Sequence, residues 1–194
     1  WIAILSYSEQ GSLVAPVGAG WNVSPVVSGG TGIYSVESMV VWRILTPGDL
    51  SGTTFSQAFA ANGADLTYGG FRGAGVAYRG TNLTAVVNAS GVTQSAGTGS
   101  TATATFPTAS PAGVAPNTIV RLGSGRGYGG FTSISWGAIP HTTRVNFNAG
   151  NSGDRAIAIS DIDDNTGAAV NGTINVGLFG ARHRTTFTAV IRNV

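Results

Sequence analysis

The chain of 194 residues contains no cysteine and no lysine. Without cysteine it can form neither a disulfide framework nor a thiolate metal site, and it cannot use a cysteine nucleophile. Charged residues make up 9% of the chain, against about 25% in typical soluble domains. The basic residues are all arginine and are scattered along the sequence. Nucleic-acid binding usually needs a clustered positive face, so we expect no nucleic-acid partner.

Long apolar runs and helical periodicity are also missing. No run approaches the 18 or so apolar residues that a membrane span needs, so no membrane insertion is expected. The alanine-rich stretch from Gln57 to Ala64 is interrupted by Asn62 and Gly63 and carries no cap followed by an apolar stripe. The chain begins with Trp1, and we expect it to be the C-terminal part of a longer protein.

Short β-branched and aromatic runs, separated by Gly, Asn, Asp, Pro and Ser, dominate the sequence and predict strands. Between Arg144 and Asn148, alternation predicts Val145 and Phe147 to face inward and the polar residues outward. Such alternation is typical of antiparallel sheets with one face in water. The sequence therefore predicts an all-β fold, an antiparallel β-sandwich or jelly roll. The predicted strands are Ile2–Tyr7, Trp21–Val27, Ser35–Leu45, Thr53–Phe59, Gly75–Tyr78, Thr84–Val87, Ala102–Phe106, Thr118–Leu122, Thr132–Trp136, Thr143–Phe147, Ala156–Ser160, Thr173–Leu178 and Thr185–Ile191.

The order of these features indicates a single domain, residues 1–194, with an internal duplication. Residues 1–80 and 117–194 each run through strands, a tryptophan-containing strand and an Asp-containing turn in the same order. Residues 81–116, rich in Ser, Thr, Ala and Pro, would be the crossover between two pseudo-repeated halves.

Four short motifs carry a resemblance to a known class of domain. They are W-I-A-I-L at residues 1–5, the segment Pro16–Trp21, V-V-W-R-I-L-T-P-G-D at residues 40–49, and A-Y-R-G at residues 77–80. Together they resemble a β-sandwich domain of bacteriophage virion proteins, which also occurs in bacterial surface proteins. The resemblance covers the first 80 residues, and the second half only loosely. It implies a virion or cell-surface location, in tail fibres, minor tail proteins, head fibres or capsid-decorating proteins.

Catalysis needs titratable groups that converge, and this chain has two His and eight acidic residues. The segment Gly150–Asp154 resembles the nucleophile loop of trypsin-like serine proteases. Such an enzyme also needs a histidine base and an aspartate well upstream, whereas the histidine before Ser152 is His141, too close along the chain. A polar turn is the favoured interpretation, and we expect the protein not to be an enzyme.

Asp161, Asp163 and Asn165 have the 1, 3, 5 oxygen spacing of a calcium loop. The EF-hand form fails, because its Gly position is Thr166 and its Glu position is Gly172. A looser Ca²⁺ site stays open beside the alternative of a polar turn. No other cofactor is expected.

Three further segments could contact a ligand. Residues 123–130, rich in glycine, predict an exposed loop that either carries Arg126 and Tyr128 toward a partner or sugar, or merely turns. Trp136, followed by Gly137, could stack on a sugar or belong to the core, where Trp21 and Trp42 are expected. Arg182, His183 and Arg184 could contact an acidic partner or acidic polysaccharide, or form a solvated turn.

The function predicted from these features is that of a non-enzymatic structural protein on the virion surface. It would be a tail- or fibre-type module that adheres to a host-surface polysaccharide and contacts other virion proteins. Such modules commonly form homo-oligomers, with a trimer favoured, because symmetric contacts multiply weak binding. The alternatives are a capsid-decorating or head-fibre assembly protein and a bacterial secreted carbohydrate-binding module at the cell surface.

Overall fold

A computed structural model describes residues 1–9, 12–13, 20–24, 26–29, 36–51, 61–62, 72–79, 102–109, 117–127, 131–135, 141–148, 155–164, 170–176 and 181–192. These residues form β-strands and turns, and no helix among them is long and apolar enough to cross a membrane. The strands are β1 (Ile2–Glu9), β2 (Ser12–Leu13), β3 (Asn22–Val23), β4 (Val27–Gly29), β5 (Val36–Ile44), β6 (Ala61–Asn62), β7 (Arg72–Tyr78), β8 (Ala102–Ala109), β9 (Asn117–Gly127), β10 (Phe131–Ser135), β11 (Thr142–Asn148), β12 (Arg155–Asp164), β13 (Val170–Val176) and β14 (Ala181–Arg192).

The strands pair in antiparallel sheets, which confirms the predicted all-β class. The N-terminal sheet has the order β3-β5-β1-β7, with β4 also beside β5. The central sheet has the order β11-β12-β9-β14, and a third sheet has the order β10-β13-β8. β2 and β6 form a separate pair. The narrower assignments, to a sandwich or jelly roll with two pseudo-repeated halves, stay predictions.

Several strands of the described part extend beyond their predicted ends, and three of them replace a predicted turn or loop. β12 runs through Asp164 and β9 through Gly127, whereas a turn and an exposed glycine loop were predicted there. β14 begins at Ala181, so Arg182–Arg184 belong to a strand and not to a turn. The reason is pairing, because β9 has a partner on each side along almost its whole length. The predicted strands at 53–59 and 84–87 lie outside the described residues.

The hydrophobic core lies between the N-terminal and central sheets. On the central sheet, alternate residues of three neighbouring strands face the core, for example Val120, Ile159 and Phe187. On the N-terminal sheet, Val27 and Val40 are buried, and Trp42 packs against the same cluster, as predicted. Burial of this many large aliphatic side chains, each contributing about 1.5–3 kcal/mol, stabilises the contact between the two sheets.

Trp21 lies at the margin of the N-terminal sheet and is only half buried, whereas a core position was predicted. Its ring lies 5.1 Å from the guanidinium of Arg43, a cation–π contact that suits a partly exposed site. Gly20, immediately before it, has a φ of +91°, a backbone conformation that a residue with a side chain rarely adopts.

The opposite face of the central sheet is also buried. Arg121 follows Val120 on β9 and therefore faces away from the core, yet it is fully buried. Its Nη1 donates hydrogen bonds to the carbonyl of Pro107 and to the hydroxyl of Thr188, and its guanidinium lies 5.5 Å from the ring of Phe106. Burial lowers the pKa of Arg121 to about 10. The prediction of sheets with one face in water is thus wrong for this sheet, because β8 covers its second face.

A triangle of buried hydroxyls joins the N-terminal and central sheets beside the core. The oxygens of Ser38 and Ser124 are 2.5 Å apart, and those of Ser124 and Thr185 are 2.6 Å apart. Thr185 also donates to Ser38 at 2.6 Å. All three side chains are buried, so each hydroxyl depends on the other two for its hydrogen bonds.

We expect Thr185→Val to lower the free energy of unfolding by about 1–3 kcal/mol, because Ser38 and Ser124 would each lose a buried partner at unchanged side-chain shape. Denaturant unfolding measures this effect. The control is Thr142→Val on edge strand β11, where the threonine is exposed and a change within about 0.5 kcal/mol is expected. Equal effects of the two substitutions would contradict the structural role of the triangle.

Candidate functional site

A surface pocket of about 370 Å³ lies where the edge strand of one sheet meets the edge strand of another. Among the described strands, β7 is the edge of the N-terminal sheet. It contributes residues 75–78 to the lining, and Arg79 directly after it also belongs to the lining. β11 is the edge of the central sheet and contributes Arg144 and Val145. The volume falls within the range of about 300–1,000 Å³ that is usual for small-molecule sites.

A β-bulge brings Arg144 into this pocket. Thr143 lies opposite Ser160 and Val145 lies opposite Ile159, so the bulged strand carries one extra residue at this point. Regular alternation would place Arg144 and Val145 on opposite faces of the sheet, whereas a bulge redirects a side chain. Both residues therefore line the pocket, and Arg144, predicted to face outward, has a half-exposed side chain.

Phe147, predicted to face inward, is 48% exposed. It lies opposite Ile157, a core residue, and therefore shares the core face of the central sheet. It stays exposed because β11 is the edge strand of that sheet. The predicted face is right, and the predicted burial is wrong.

A buried carboxylate lies beneath the pocket. The side chain of Asp161 is 4% exposed, and its Oδ2 accepts a hydrogen bond of 2.7 Å from the Tyr78 hydroxyl. The same oxygen accepts a second bond of 2.7 Å from Nε of Arg144. A buried charge is tolerated only when it is paired and hydrogen-bonded. Asp161 therefore fixes Tyr78 from one sheet and Arg144 from the other.

These contacts also set the protonation states at the pocket. Burial, together with the hydrogen bond to Asp161, raises the pKa of Tyr78 well above its ordinary value of about 10. The hydrogen bond and charge of Asp161 raise the pKa of Arg144. At neutral pH Tyr78 is thus an uncharged donor and Arg144 a cation.

Two arginines belong to the described lining of the pocket. The side chain of Arg144 is 50% exposed, and its bond to Asp161 uses Nε, not the two Nη groups. Arg79, which follows Tyr78, is exposed and also lines the pocket. Asp163 does not belong to the lining, and its Oδ1 accepts a hydrogen bond of 2.9 Å from Thr118. The described lining therefore carries two arginines, while the carboxylates of Asp161 and Asp163 lie close enough to act on Arg144.

The residues predicted to bind calcium are only partly described. Asp161 and Asp163 lie two apart on β12, and therefore on one face of the strand, while Asn165 lies outside the described residues. Within the described part of the chain, no group of three or more His, Asp or Glu side chains could hold a metal ion. Asp161 already binds Tyr78 and Arg144. The calcium site stays a prediction.

Strand pairing brings two of the predicted ligand-binding residues together. Arg126 lies on β9 directly opposite His183 of β14, and its neighbour on the other side is Arg155 of β12. Arg182 falls at a bulge of β14, and Arg184 lies opposite Gly125. Arg155 and Asp161 are six residues apart on β12, so this row is about 20 Å from the carboxylate beneath the pocket. The predicted Tyr128 and Trp136 lie outside the described residues.

Sequence reasoning missed Tyr78 and Arg144 as site residues. A tyrosine on a half-buried strand needs a partner for its hydroxyl, and that was the available signal for Tyr78. The sequence does not show which carboxylate it meets, because Asp161 is 83 positions away along the chain. Arg144 gave no signal, since the bulge arises only from strand pairing.

Comparison of the chain with protein-family models, curated proteins and solved structures finds no match. The geometry and chemistry of its own residues therefore carry the assignment of function.

We expect Tyr78→Phe to lower the free energy of unfolding at neutral pH by about 1–2 kcal/mol, because Asp161 loses a buried donor. The difference should shrink as the pH rises above about 10. Above this pH, Tyr78 ionises in the unfolded wild-type chain but stays protonated in the folded chain. The free energy of unfolding of wild type therefore falls by at most about 1.4 kcal/mol per pH unit. Denaturant unfolding of both proteins between about pH 7 and about pH 11 measures this effect. A difference that does not vary with pH would contradict a raised pKa for Tyr78.

Proposed function

We propose that this chain is a non-enzymatic structural module of a virion surface, of the tail- or fibre-type, that adheres to host-surface glycan. The observation that carries the proposal is the open pocket between β7 and β11, which offers hydrogen-bond donors on an exposed edge of the molecule. The resemblance of residues 1–80 to virion β-sandwich domains supports the location. Low charge and an all-β fold suit a display surface.

The main chain of β7 favours a sugar as ligand. Among the described strands, β7 pairs with β1 on one side and has no neighbour on the other. An edge strand leaves backbone N–H and C=O groups unpaired, and sugar hydroxyls can both donate to and accept from such groups. Gly75 and Ala77 are exposed and small, so their side chains do not cover the main chain. Val76 and Val145 add apolar surface for the C–H groups of a sugar ring.

A single pocket of this size would bind weakly, which favours repetition of the site. A homo-oligomer on the virion, with a trimer as the favoured form, presents several copies at once. Binding of the second and third copies is then intramolecular, and the overall affinity exceeds that of one site by about 10²–10⁴.

The test compares two glycine substitutions on one strand. Gly75 and Gly73 are both exposed on the same face of β7, but only Gly75 lines the pocket. On an array of host-surface glycans, we expect wild type to be retained, Gly75→Val to lose at least about tenfold in affinity, and Gly73→Val to bind like wild type. Thermal unfolding of each variant checks that the fold is kept.

Absence of any retained glycan, with tight retention on virus particles, would contradict adhesion and favour the capsid-decorating alternative. Antibody labelling of particles under the electron microscope tests the location. Label at the tail or fibre tips supports the proposal, label over the capsid favours decoration, and no label together with glycan binding favours a bacterial carbohydrate-binding module.

A further inference from the structure

We propose that the glycan taken by this pocket is acidic, and that Arg144 binds its carboxylate with Arg79 as a second cation. The inference rests on the proposed function, since it names the chemical class of the ligand for the same pocket. Sugars that carry a carboxylate, such as uronic and sialic acids, belong to this class.

Arg144 is held in a position suited to a carboxylate. Its Nε donates to the buried Oδ2 of Asp161 at 2.7 Å, while half of its side chain is exposed. A guanidinium presents its donors in a planar fork that matches a carboxylate. Because the bond through Nε already fixes the guanidinium, less side-chain freedom is lost when the two Nη groups bind a ligand.

Asp161 and Tyr78 act in this proposal as positioning residues and do not touch the ligand. Tyr78 donates to the same Oδ2 at 2.7 Å and stays protonated, so it adds no negative charge at neutral pH. Asp161 is almost fully buried. Its charge orients Arg144 from below and is offset there by the guanidinium.

The two arginines of the described lining favour an anion over a neutral ligand. Arg144 and Arg79 both line the pocket, and no carboxylate belongs to the described lining. Asp163 is exposed outside that lining and is hydrogen-bonded to Thr118. Asp161 and Asp163 offset part of the positive charge of the arginines, so the attraction for an anion acts at short range and weakens with added salt.

The row of Arg155, Arg126 and His183 across the central sheet is the competing place for an acidic ligand. It supplies a matched control, because Arg155→Gln removes the same charge as Arg79→Gln at a distance of about 20 Å from the pocket. Neutralising Arg79 should weaken binding of an acidic glycan, whereas neutralising Arg155 should not.

The experiment measures binding by titration calorimetry with matched pairs of glycans. The pairs are oligogalacturonate with its methyl ester, and sialyllactose with lactose. We expect at least one acidic member to bind wild type about tenfold or more tightly than its neutral partner at low salt. Arg79→Gln should remove most of that preference. Arg144→Lys should also reduce it, because a point charge lacks the planar fork.

Each outcome bears on the proposal. Loss of the acidic preference in Arg79→Gln and its retention in Arg155→Gln support it. The reverse pattern overturns it in favour of the Arg126 row. Equal binding of acidic and neutral members, still sensitive to Gly75→Val, overturns the acidic class but leaves glycan adhesion intact. No binding of any member, with no glycan retained on the array, overturns both.

Discussion

Burial of the central sheet on both faces is the constraint on which the rest of the structure depends. One face packs on the N-terminal sheet through a hydrophobic core, and the other packs under β8. Buried polar groups on β9, β12 and β14 are therefore cut off from water, and several of them are hydrogen-bonded within the protein. Arg121 finds them in the carbonyl of Pro107 and the hydroxyl of Thr188, and Ser124 finds them in Ser38 and Thr185.

Near the surface pocket, Asp161 is another buried polar group that is bonded within the protein. It is the point at which a buried carboxylate meets the junction of two sheet edges, and its two partners come from β7 and β11. Because Arg144 must reach inward through its Nε, its outer edge is held at the mouth of the pocket. The stability of the junction and the properties of the candidate site thus depend on one oxygen atom, Oδ2 of Asp161.

The adhesive role and the acidic ligand depend on different parts of this junction. A sugar of any charge would use the exposed main chain of β7 beside Gly75 and Ala77. Selection for an acidic sugar would use only the two guanidinium groups, which extend beyond that main chain. An experiment can therefore contradict the acidic ligand without contradicting glycan adhesion. The two alternative functions, capsid decoration and a bacterial carbohydrate-binding module, differ from virion adhesion in what the residues around the pocket contact.

Residue patterns by themselves determined that the chain folds into antiparallel strands, and that Trp42 packs against the core. These properties follow from local alternation and turn residues, which depend on near neighbours. Only the tertiary structure decided that residues 123–127 continue a central strand, that Asp161 is buried, and that a bulge turns Arg144 toward it. The physical reason is that strand pairing and sheet packing bring together residues far apart along the chain. A residue pattern of period two does not specify which strand pairs with a given strand or which sheet packs on it.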